Sequence, residues 1–250
     1  MLLVRREVTE RYRGSIMGLA WSLITPMFML IMYSFVFSVV FKVRWGEQTS
    51  GSHAEFAALL FTGLLTYGFF AECLARAPGL LSSHANFVKR IVFPLEILPV
   101  VAVFSAFFNC LMNILVLFLA MRLFSLPFYW GQLLFPVVLF PVFLMALGIV
   151  WFFSALGVYI RDVVHMTGLL SSLFLFLSPV FYPQSALPPA YRPWLDLNPL
   201  TFVIESARQT LTGGGLNWQG WGFSCFLGLV AALCGLWCFQ RSRKGFADVL

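Results

Sequence analysis

The 250-residue sequence has few charged side chains, and this shortage excludes most classes of soluble protein. Asp, Glu, Lys and Arg make up 10% of the chain, whereas apolar residues make up 60% and the mean hydropathy is +0.89. Soluble domains contain about 25% charged residues. The 16 basic and 10 acidic side chains can cover the ends of a helical bundle, but not the whole surface of a 28.3 kDa globule. We therefore predict an integral membrane protein with an all-α fold.

Lysine is scarce, and its positions exclude the common ATP-binding loop. A P-loop requires Gly-Lys followed by Ser or Thr, because its backbone amides and its lysine hold the phosphates. The lysines Lys42, Lys89 and Lys244 do not follow a glycine. We expect no ATP bound by this route, no enzymatic activity, no catalytic residues and no cofactor in this chain.

Potential metal ligands and paired cysteines are also lacking. The three histidines fall in different predicted loops on opposite sides of the membrane, so they cannot share a metal ion. The five cysteines all lie within predicted spans, and an odd number there is not a disulfide framework. Cys234 and Cys238 are one helical turn apart, but no third ligand is near them, and we interpret them as packing residues.

Carboxylates are missing from the centres of the long apolar runs. Glu72 and Glu96 lie close to the cytoplasmic ends of their predicted helices, where side chains reach water. Ion-coupled carriers normally need an ionisable group or broken-helix carbonyls near the middle of the bilayer. This pattern disfavours a channel or ion-coupled carrier that works alone. If the chain transports a substrate, we expect a partner to supply the energy.

Long uncharged runs are what the sequence has in abundance, and they predict six transmembrane helices. A helix needs roughly 20 apolar residues to cross a bilayer. The predicted spans are residues 16–41, 56–75, 97–121, 131–158, 166–181 and 218–239. The other parts of this single transmembrane domain, residues 1–250, are an amino-terminal amphipathic interfacial helix (1–14), a periplasmic re-entrant segment (182–215) and a cytoplasmic tail (240–250).

The positions of the basic residues indicate the orientation of these spans. With six spans, both termini lie on one side of the membrane. Most of the 16 basic residues fall on that side, among them Arg5, Arg6, Lys89 and Arg90. Because cytoplasmic loops carry the excess of Lys and Arg, we predict that both termini are cytoplasmic. The net charge of +6 then follows from topology and does not indicate nucleic-acid binding.

The segment after the fifth span is rich in both proline and apolar residues. Two short helices are expected there, at residues 191–196 and 200–211, separated by Asn198 and Pro199. Their apolar content is too high for an exposed loop, so we interpret them as half-helices that dip back into the outer leaflet. A surface loop resting on the membrane is the alternative interpretation.

A distinctive pattern opens the first span. Its residues are Arg11, Tyr12, Arg13, Gly14, Ser15, Gly18, Trp21 and Pro26. This pattern resembles the start of the first span in the permease subunits of ABC transporters that export polysaccharide, namely O-antigen, teichoic acid or capsule. The six-span plan with both termini inside agrees with that family over essentially the whole chain. Without the resemblance, the basic N-terminal stretch is also explained as an ordinary cytoplasmic anchor.

The resemblance implies a homodimer in the bacterial cytoplasmic (inner) membrane that works with two separate ATP-binding subunits. ATP and Mg²⁺ would be bound on those subunits, and the cargo would be a lipid-linked polysaccharide of the O-antigen type. The residues expected to contact the ATPase are Ser83, His84, Phe87, Val88, Lys89 and Arg90 in one cytoplasmic loop, and Arg161 and Asp162 in another. From the residues alone, two interpretations of the first loop stay open: an apolar stripe with basic tips that docks into a groove on a soluble partner, or an ordinary basic interfacial loop. The Arg-Asp pair, from the residues alone, is a turn or a surface ion pair.

Aromatic residues make up 18% of the chain, and a subset of them would suit a path for sugars. An aromatic face stacks on the apolar face of a pyranose without requiring a fixed set of hydroxyl groups. The candidate channel-lining residues are Tyr33, Phe37, Tyr67, Phe70 and Tyr159. Two alternatives to polysaccharide export are an ABC permease for a drug or lipid, and a channel or carrier without a partner.

Overall fold

The computed structural model describes residues 2–12, 17–36, 53–84, 94–188, 190–196 and 198–249, and the regular structure in these ranges is helical. The helices are α1 (Leu2–Tyr12), α2 (Trp21–Tyr33), α3 (His53–Arg76), α4 (Leu80–Ser83), α5 (Ile97–Leu123), α6 (Phe135–Val138), α7 (Phe140–Tyr159), α8 (Val163–Leu177), α9 (Arg192–Asp196), α10 (Pro199–Leu211), α11 (Trp218–Ser242) and α12 (Phe246–Val249). Short 3₁₀ turns lie at Gly18–Ala20, Trp130–Leu134, Gln184–Ala186 and Arg243–Gly245. The predicted all-α class is confirmed for this part of the chain.

Four helical stretches in the described ranges are long and apolar enough to cross a membrane. They are Ala54–Arg76, Ile97–Leu123, Trp130–Tyr159 and Trp218–Gly245. Two shorter apolar helices, Trp21–Val36 and Val163–Leu177, lie where the sequence predicts the first and fifth spans. Residues 37–41 of the predicted first span lie outside the described residues. The helices agree with a protein that crosses the membrane several times.

The helix in the region of the fifth predicted span has different boundaries from those predicted. α8 begins at Val163 rather than at residue 166, and it ends at Leu177 rather than at residue 181. The early end follows from Pro179, because the ring of a proline disfavours the helical conformation at the residue before it. Ser178 is accordingly extended, with φ −97° and ψ 147°.

α3 lies at the centre of the bundle. In its most apolar window 78% of the residues are buried, against 28% in the corresponding window of α11. It packs against α5, α7, α8 and α10, and its buried side chains include Leu60, Leu65 and Leu74. Because α3 contacts so many neighbours, a displacement of this helix reaches most of the bundle.

α7 and α11 approach each other closely because glycines line their contact. A Cβ at Gly148 of α7 would overlap the Ala231 carbonyl group of α11, and a Cβ at Gly235 would overlap the Gly148 backbone. A Cβ at Gly228 would lie 2.7 Å from the Pro141 carbonyl oxygen. Small residues at helix contacts in membranes permit this approach, which is stabilised by van der Waals contact.

Both terminal segments lie at the same end of the bundle, which we call the terminal end; the opposite end is the distal end. Arg76, in the last turn of α3, forms an ion pair with Glu7 of α1. Tyr159, at the end of α7, donates from its hydroxyl to the Ser242 carbonyl at 2.7 Å. The C-terminal ends of α3 and α7 are adjacent, because α4 follows α3 directly and packs on α7.

Candidate functional site

A polar cluster at the terminal end joins α1, α3 and α5. Arg76 forms ion pairs with Glu7 and with Glu72, the latter at 3.7 Å. The Asn109 amide of α5 donates to the two carboxylate oxygens of Glu72 at 3.1 and 3.4 Å. These charged side chains are partly buried, so they attract each other more strongly than they would in water. The cluster therefore holds α1 against the rest of the bundle.

The loop that follows α3 is packed tightly against α7. A Cβ at Gly157 of α7 would overlap the Pro78 backbone, so the loop and the helix touch backbone to backbone. Ser83 and His84, two of the predicted coupling residues, follow at the end of α4. The Ser83 hydroxyl donates to the Leu80 carbonyl at 2.9 Å, and the His84 Nδ1 atom lies 2.9 Å from the same oxygen. The start of the predicted coupling loop is thus fixed to the bundle.

The end of this loop is fixed as well. Trp151 of α7 donates from its indole nitrogen to the Glu96 carbonyl at 3.1 Å. The Glu96 carboxylate lies 2.7 Å from the Arg243 guanidinium of the C-terminal segment. A force applied to the loop would therefore act directly on α7 and on the C-terminal segment.

The other predicted coupling residues are divided between described and undescribed parts of the chain. Arg161 and Asp162 form an exposed turn between α7 and α8, at the terminal end. The Asp162 carbonyl accepts from the amides of His165 and Met166 at 3.0 and 3.2 Å, which starts α8. The coupling residues outside the described ranges are Phe87, Val88, Lys89 and Arg90. Contact of these loops with an ATPase stays a prediction.

The distinctive N-terminal pattern is divided between α1, α2 and the segment that connects them. Arg11 and Tyr12 end α1, and Trp21 is the exposed first residue of α2. Gly18 has φ +50°, a left-handed conformation that glycine adopts without strain, and it turns the chain into α2. Pro26 is buried within α2. The residues of the pattern that lie outside the described ranges are Arg13, Gly14 and Ser15.

Two of the candidate channel aromatics lie in the contact between α3 and α8. The Tyr67 hydroxyl lies 2.6 Å from the Ser171 carbonyl oxygen, to which it donates, and 2.7 Å from the Ser171 hydroxyl. Phe70 is 1% exposed and packs edge-on against Phe174, with the ring centroids 5.2 Å apart. In this chain both rings are buried in a helix contact, where they hold α8 against α3.

The other channel candidates lie elsewhere. Tyr159 is at the terminal end, where its hydroxyl donates to the Ser242 carbonyl and its ring contacts Phe246. Tyr33 is half-buried at the end of α2, and Phe37 lies outside the described residues. The four candidates that the structure describes do not share one surface, and a sugar path lined by these aromatics stays a prediction.

α8 and α10 meet at a buried asparagine. The Asn198 side-chain oxygen accepts from the Leu200 amide at 3.0 Å and caps the N-terminus of α10. Its nitrogen donates to the Ser178 hydroxyl at 2.9 Å and to the Leu177 carbonyl, at the end of α8, at 3.3 Å. One side chain therefore satisfies polar groups at two helix ends, which have no partners within their own helices.

α10 runs from a position beside the middle of α11 to the distal end of the bundle. Pro199, its first residue, lines a small cavity with Gly228 of α11. At about 1.5 Å per residue, Gly228 lies about 15 Å along α11 from its start at Trp218. At the other end of α10, the Leu211 carbonyl accepts from the Gln132 side chain at 3.3 Å, in the turn that precedes α6.

Arg208 of α10 is a buried cation whose guanidinium binds three separate parts of the chain. Its side chain is 4% exposed and lies 3.2 Å from the Glu205 carboxylate. The Nε atom donates to the Leu59 carbonyl of α3 at 3.2 Å. The terminal nitrogens donate to the carbonyls of Pro179 and Val180, just after α8, at 2.6 and 2.7 Å. The turn after α8, the distal half of α3 and α10 are thus joined through one side chain.

The sequence places Arg208 on the apolar face of α10, but the many prolines nearby make this face difficult to recognise. Leu200, Ile204 and Leu211 recur at helical spacing on the buried face of α10, and Arg208 lies on the same face, four residues after Ile204. A cation on an apolar face must be bound by polar groups from elsewhere in the fold. Those groups are mostly backbone carbonyls of distant segments, which no side-chain pattern reveals.

The comparisons with known proteins cover the whole chain. The sequence profile of a membrane-protein family described as ABC-2 type transporter matches residues 1–212. The O-antigen export system permease protein RfbA of Klebsiella pneumoniae is 25% identical over 254 aligned positions, which cover 100% of this chain and 94% of that protein. A protein of the same name from Myxococcus xanthus is 29% identical over 207 positions, covering 82% of this chain and 76% of that protein.

A further relative has a lower identity. The polysialic acid transport protein KpsM of Escherichia coli is 21% identical over 225 positions, covering 86% of this chain and 81% of that protein. The family profile itself covers most of the chain, from α1 through α10. The chain therefore belongs to the ABC-2 type transporter family.

Proposed function

We propose that the chain is the membrane-spanning subunit of an ATP-driven exporter that moves lipid-linked polysaccharide across the cytoplasmic (inner) membrane of a bacterium. The observation that carries this proposal is the end-to-end likeness to an O-antigen export permease, over 100% of this chain and 94% of that protein. The relatives are named for O-antigen and polysialic acid, which are both long polysaccharides. A polysaccharide of the O-antigen type is the cargo that we assign.

We infer six transmembrane helices with both termini in the cytoplasm. The four long apolar helices would supply four spans, and α2 and α8 the first and fifth. Arg5, Arg161 and Lys244 are exposed at the terminal end, and an excess of basic residues is typical of the cytoplasmic side. α1 would lie in the cytoplasmic interface, with Leu3 half-buried and Arg5 exposed.

We infer that the segment between α8 and α11 is re-entrant. The position of Pro199 beside Gly228 of α11 supports a start of α10 within the outer leaflet. In a bilayer, the polar backbone groups of a non-helical turn must be bound by the protein itself. Asn198 donates to the Ser178 hydroxyl and Arg208 donates to the carbonyls of Pro179 and Val180 in the turn after α8, as such a location requires.

We further propose that two copies of the chain act with two ATP-binding subunits. The loop of residues 77–96 and the turn at Arg161 and Asp162 would contact these subunits. This assignment is supported by the attachment of that loop to α7 through Pro78 and Glu96, which would transmit a force to the bundle. ATP and Mg²⁺ would be bound by the partner, and this chain would perform no covalent chemistry.

Affinity purification of the detergent-solubilised chain from its host, followed by mass spectrometry, tests the partner. We expect an ATP-binding subunit in equal amount. Replacement of residues 87–90 by Gly and Ser should release it, whereas alanine at the exposed distal residues Tyr191 and Trp194 should not. Recovery of the chain alone, under conditions that preserve other permease complexes, would contradict the proposal and favour a channel or carrier without a partner.

The cargo is tested with the complex reconstituted in vesicles. Lipid-linked polysaccharide should stimulate ATP hydrolysis and cross the membrane in an ATP-dependent manner. Stimulation by a drug or a simple phospholipid, without a response to polysaccharide, would instead assign an ABC permease for another cargo.

A further inference from the structure

The Arg208 network points to a role in the transport cycle, and this inference rests on the proposed export function. We propose that Arg208 is a positioning residue that makes the distal half of α3, the turn after α8 and α10 move as one body. The guanidinium connects the Leu59 carbonyl of α3 to the carbonyls of Pro179 and Val180 at distances of 3.2, 2.6 and 2.7 Å.

The surroundings of the guanidinium favour hydrogen bonds that stay formed when the helices move. Arginine has five N–H donors and keeps its charge in proteins, and the Arg208 side chain is 4% exposed. Pulling such a charge away from its partners is strongly unfavourable. The turn also depends on Arg208, because the guanidinium binds the Pro179 and Val180 carbonyls and the prolines Pro179 and Pro183 have no N–H group that could bind a carbonyl within the turn.

α3 extends this connection to the terminal end. The helix has 24 residues and is about 36 Å long. In its last turn Arg76 pairs with Glu7 of α1, just before the loop assigned to ATPase contact. Between the two ends, the Tyr67 hydroxyl donates to the Ser171 carbonyl of α8 at 2.6 Å. A displacement of α3 would therefore carry the end of α8 and the start of the re-entrant segment with it.

Gly63 of α3 provides the space that the connection needs. A Cβ at this position would lie 2.7 Å from the Arg208 Nη2 atom and 3.0 Å from the Val180 carbonyl oxygen. A Cβ at Gly68, on the same helix, would meet nothing within 4 Å. The close approach of α3 to the turn is thus a local feature at Gly63, next to the guanidinium.

The first test compares Arg208→Met with Arg192→Met in the complete complex, reconstituted with its ATP-binding subunit. Arg192 precedes α10 and donates to the Leu187 carbonyl at 3.0 Å, so its variant controls for the loss of an arginine in the same segment. We expect Arg208→Met to keep basal ATP hydrolysis but to lose its stimulation by lipid-linked polysaccharide. Export should fall by roughly tenfold or more, the scale of an energetic coupling between two sites. Arg192→Met should retain both.

Two results of this comparison would overturn the proposal. One is export at the wild-type rate in Arg208→Met. The other is a fall in ATP hydrolysis and in the yield of folded complex that parallels the loss of export, because that pattern assigns Arg208 to stability alone.

Gly63→Ala in the wild-type complex provides the second test, with Gly68→Ala as its control. A Cβ at position 63 would lie 2.7 Å from the Arg208 Nη2 atom and 3.0 Å from the Val180 carbonyl oxygen, whereas a Cβ at position 68 would meet nothing within 4 Å. Because it would push the guanidinium and the turn apart, Gly63→Ala should reduce polysaccharide-stimulated ATP hydrolysis and export while basal hydrolysis is kept, and Gly68→Ala should retain both. Export at the wild-type rate in Gly63→Ala would overturn the inference. A wild-type complex without any polysaccharide-dependent export would instead contradict the proposed function.

Discussion

Asn198 serves two helices at once because a side-chain amide carries both an acceptor and donors. Its oxygen accepts from the first turn of α10, and its nitrogen donates to Ser178 and Leu177 at the end of α8. A buried polar group left without a partner costs about 1–3 kcal/mol. Removal of this one amide would therefore leave groups at both helix ends unpaired.

Asn198→Ala should lower the unfolding temperature of the detergent-solubilised protein more than Asn217→Ala does. Asn217 caps α11 from an exposed position, accepting from the Gly220 amide at 3.1 Å, so its loss removes only a cap worth about 1 kcal/mol. Loss of Asn198 adds the unpaired groups of α8, for a total of about 2–4 kcal/mol. Circular dichroism during heating measures both variants, and equal shifts would contradict the double role of Asn198.

Only part of the Asn198 site is predictable from the sequence. An Asn followed by Pro is a typical helix start, because the Asn side chain caps the first amides and Pro fits the first helical position. The hydrogen bond to Ser178 joins residues 20 positions apart. That contact depends on where two segments meet in the folded chain, which local pattern does not specify. The same limit applies to Arg208, whose carbonyl partners lie on α3 and after α8.

At the scale of elements, the contact between α7 and α11 makes single glycines sensitive to the smallest substitution. Gly235→Ala should destabilise the protein by about 1–3 kcal/mol, because its Cβ would overlap the Gly148 backbone and push the helices apart. Gly222→Ala, on the same helix, should be neutral or slightly stabilising, since a Cβ there would meet nothing within 4 Å. Melting temperatures in detergent measure the difference, and equally stable variants would show that the helices do not touch at Gly148.

The positions of the long helices follow from hydropathy, but their ends depend on other features. Uncharged runs predict α3, α5 and α11 because a membrane selects for long apolar stretches regardless of tertiary contacts. The end of α8 differs from the prediction because Pro179 stops the helix inside a run that is uncharged throughout. The predicted span 131–158 agrees with the helical stretch Trp130–Tyr159, in which Pro136 and Pro141 lie in the first turns of α6 and α7.

At the scale of the whole molecule, the topology depends on whether α8 crosses the membrane. Its 15 residues extend about 22 Å, less than the roughly 30 Å of a bilayer core. If this helix crosses the membrane, the turn at Arg161 and the exposed Trp194 lie on opposite sides.

Single cysteines in a chain without native cysteines test this topology. A thiol reagent is added to intact cells from outside and cannot cross the cytoplasmic membrane. It should label Trp194→Cys and the control Trp130→Cys, because Trp130 is 81% exposed at the distal end. Arg161→Cys and Lys244→Cys should react only after permeabilisation. Labelling of Arg161→Cys and Trp194→Cys from the same side would contradict a six-span chain in which α8 is the fifth span.

Composition alone predicts an integral membrane protein, because a shortage of charged side chains affects the whole surface of the molecule. The family was predicted from the N-terminal pattern that includes Gly18 and Trp21, and the family profile confirms it over residues 1–212. Contacts between two copies of the chain, in contrast, are not predictable from the sequence. Exposed apolar residues such as Phe28 and Leu169 face either lipid or a second copy, and both environments favour the same side chains.

The shortness of α8 has a consequence for the lipid around it. Its exposed side chains, such as Leu169 and Phe176, form an apolar band no taller than the helix itself. A bilayer adapts to such hydrophobic mismatch by thinning locally, at a cost of fractions of a kcal/mol per ångström. Under the proposed topology, the hydrocarbon layer beside α8 is thinner than the layer beside the protein's long helices. The polar head of a lipid-linked cargo would therefore have a shorter apolar distance to cross beside α8.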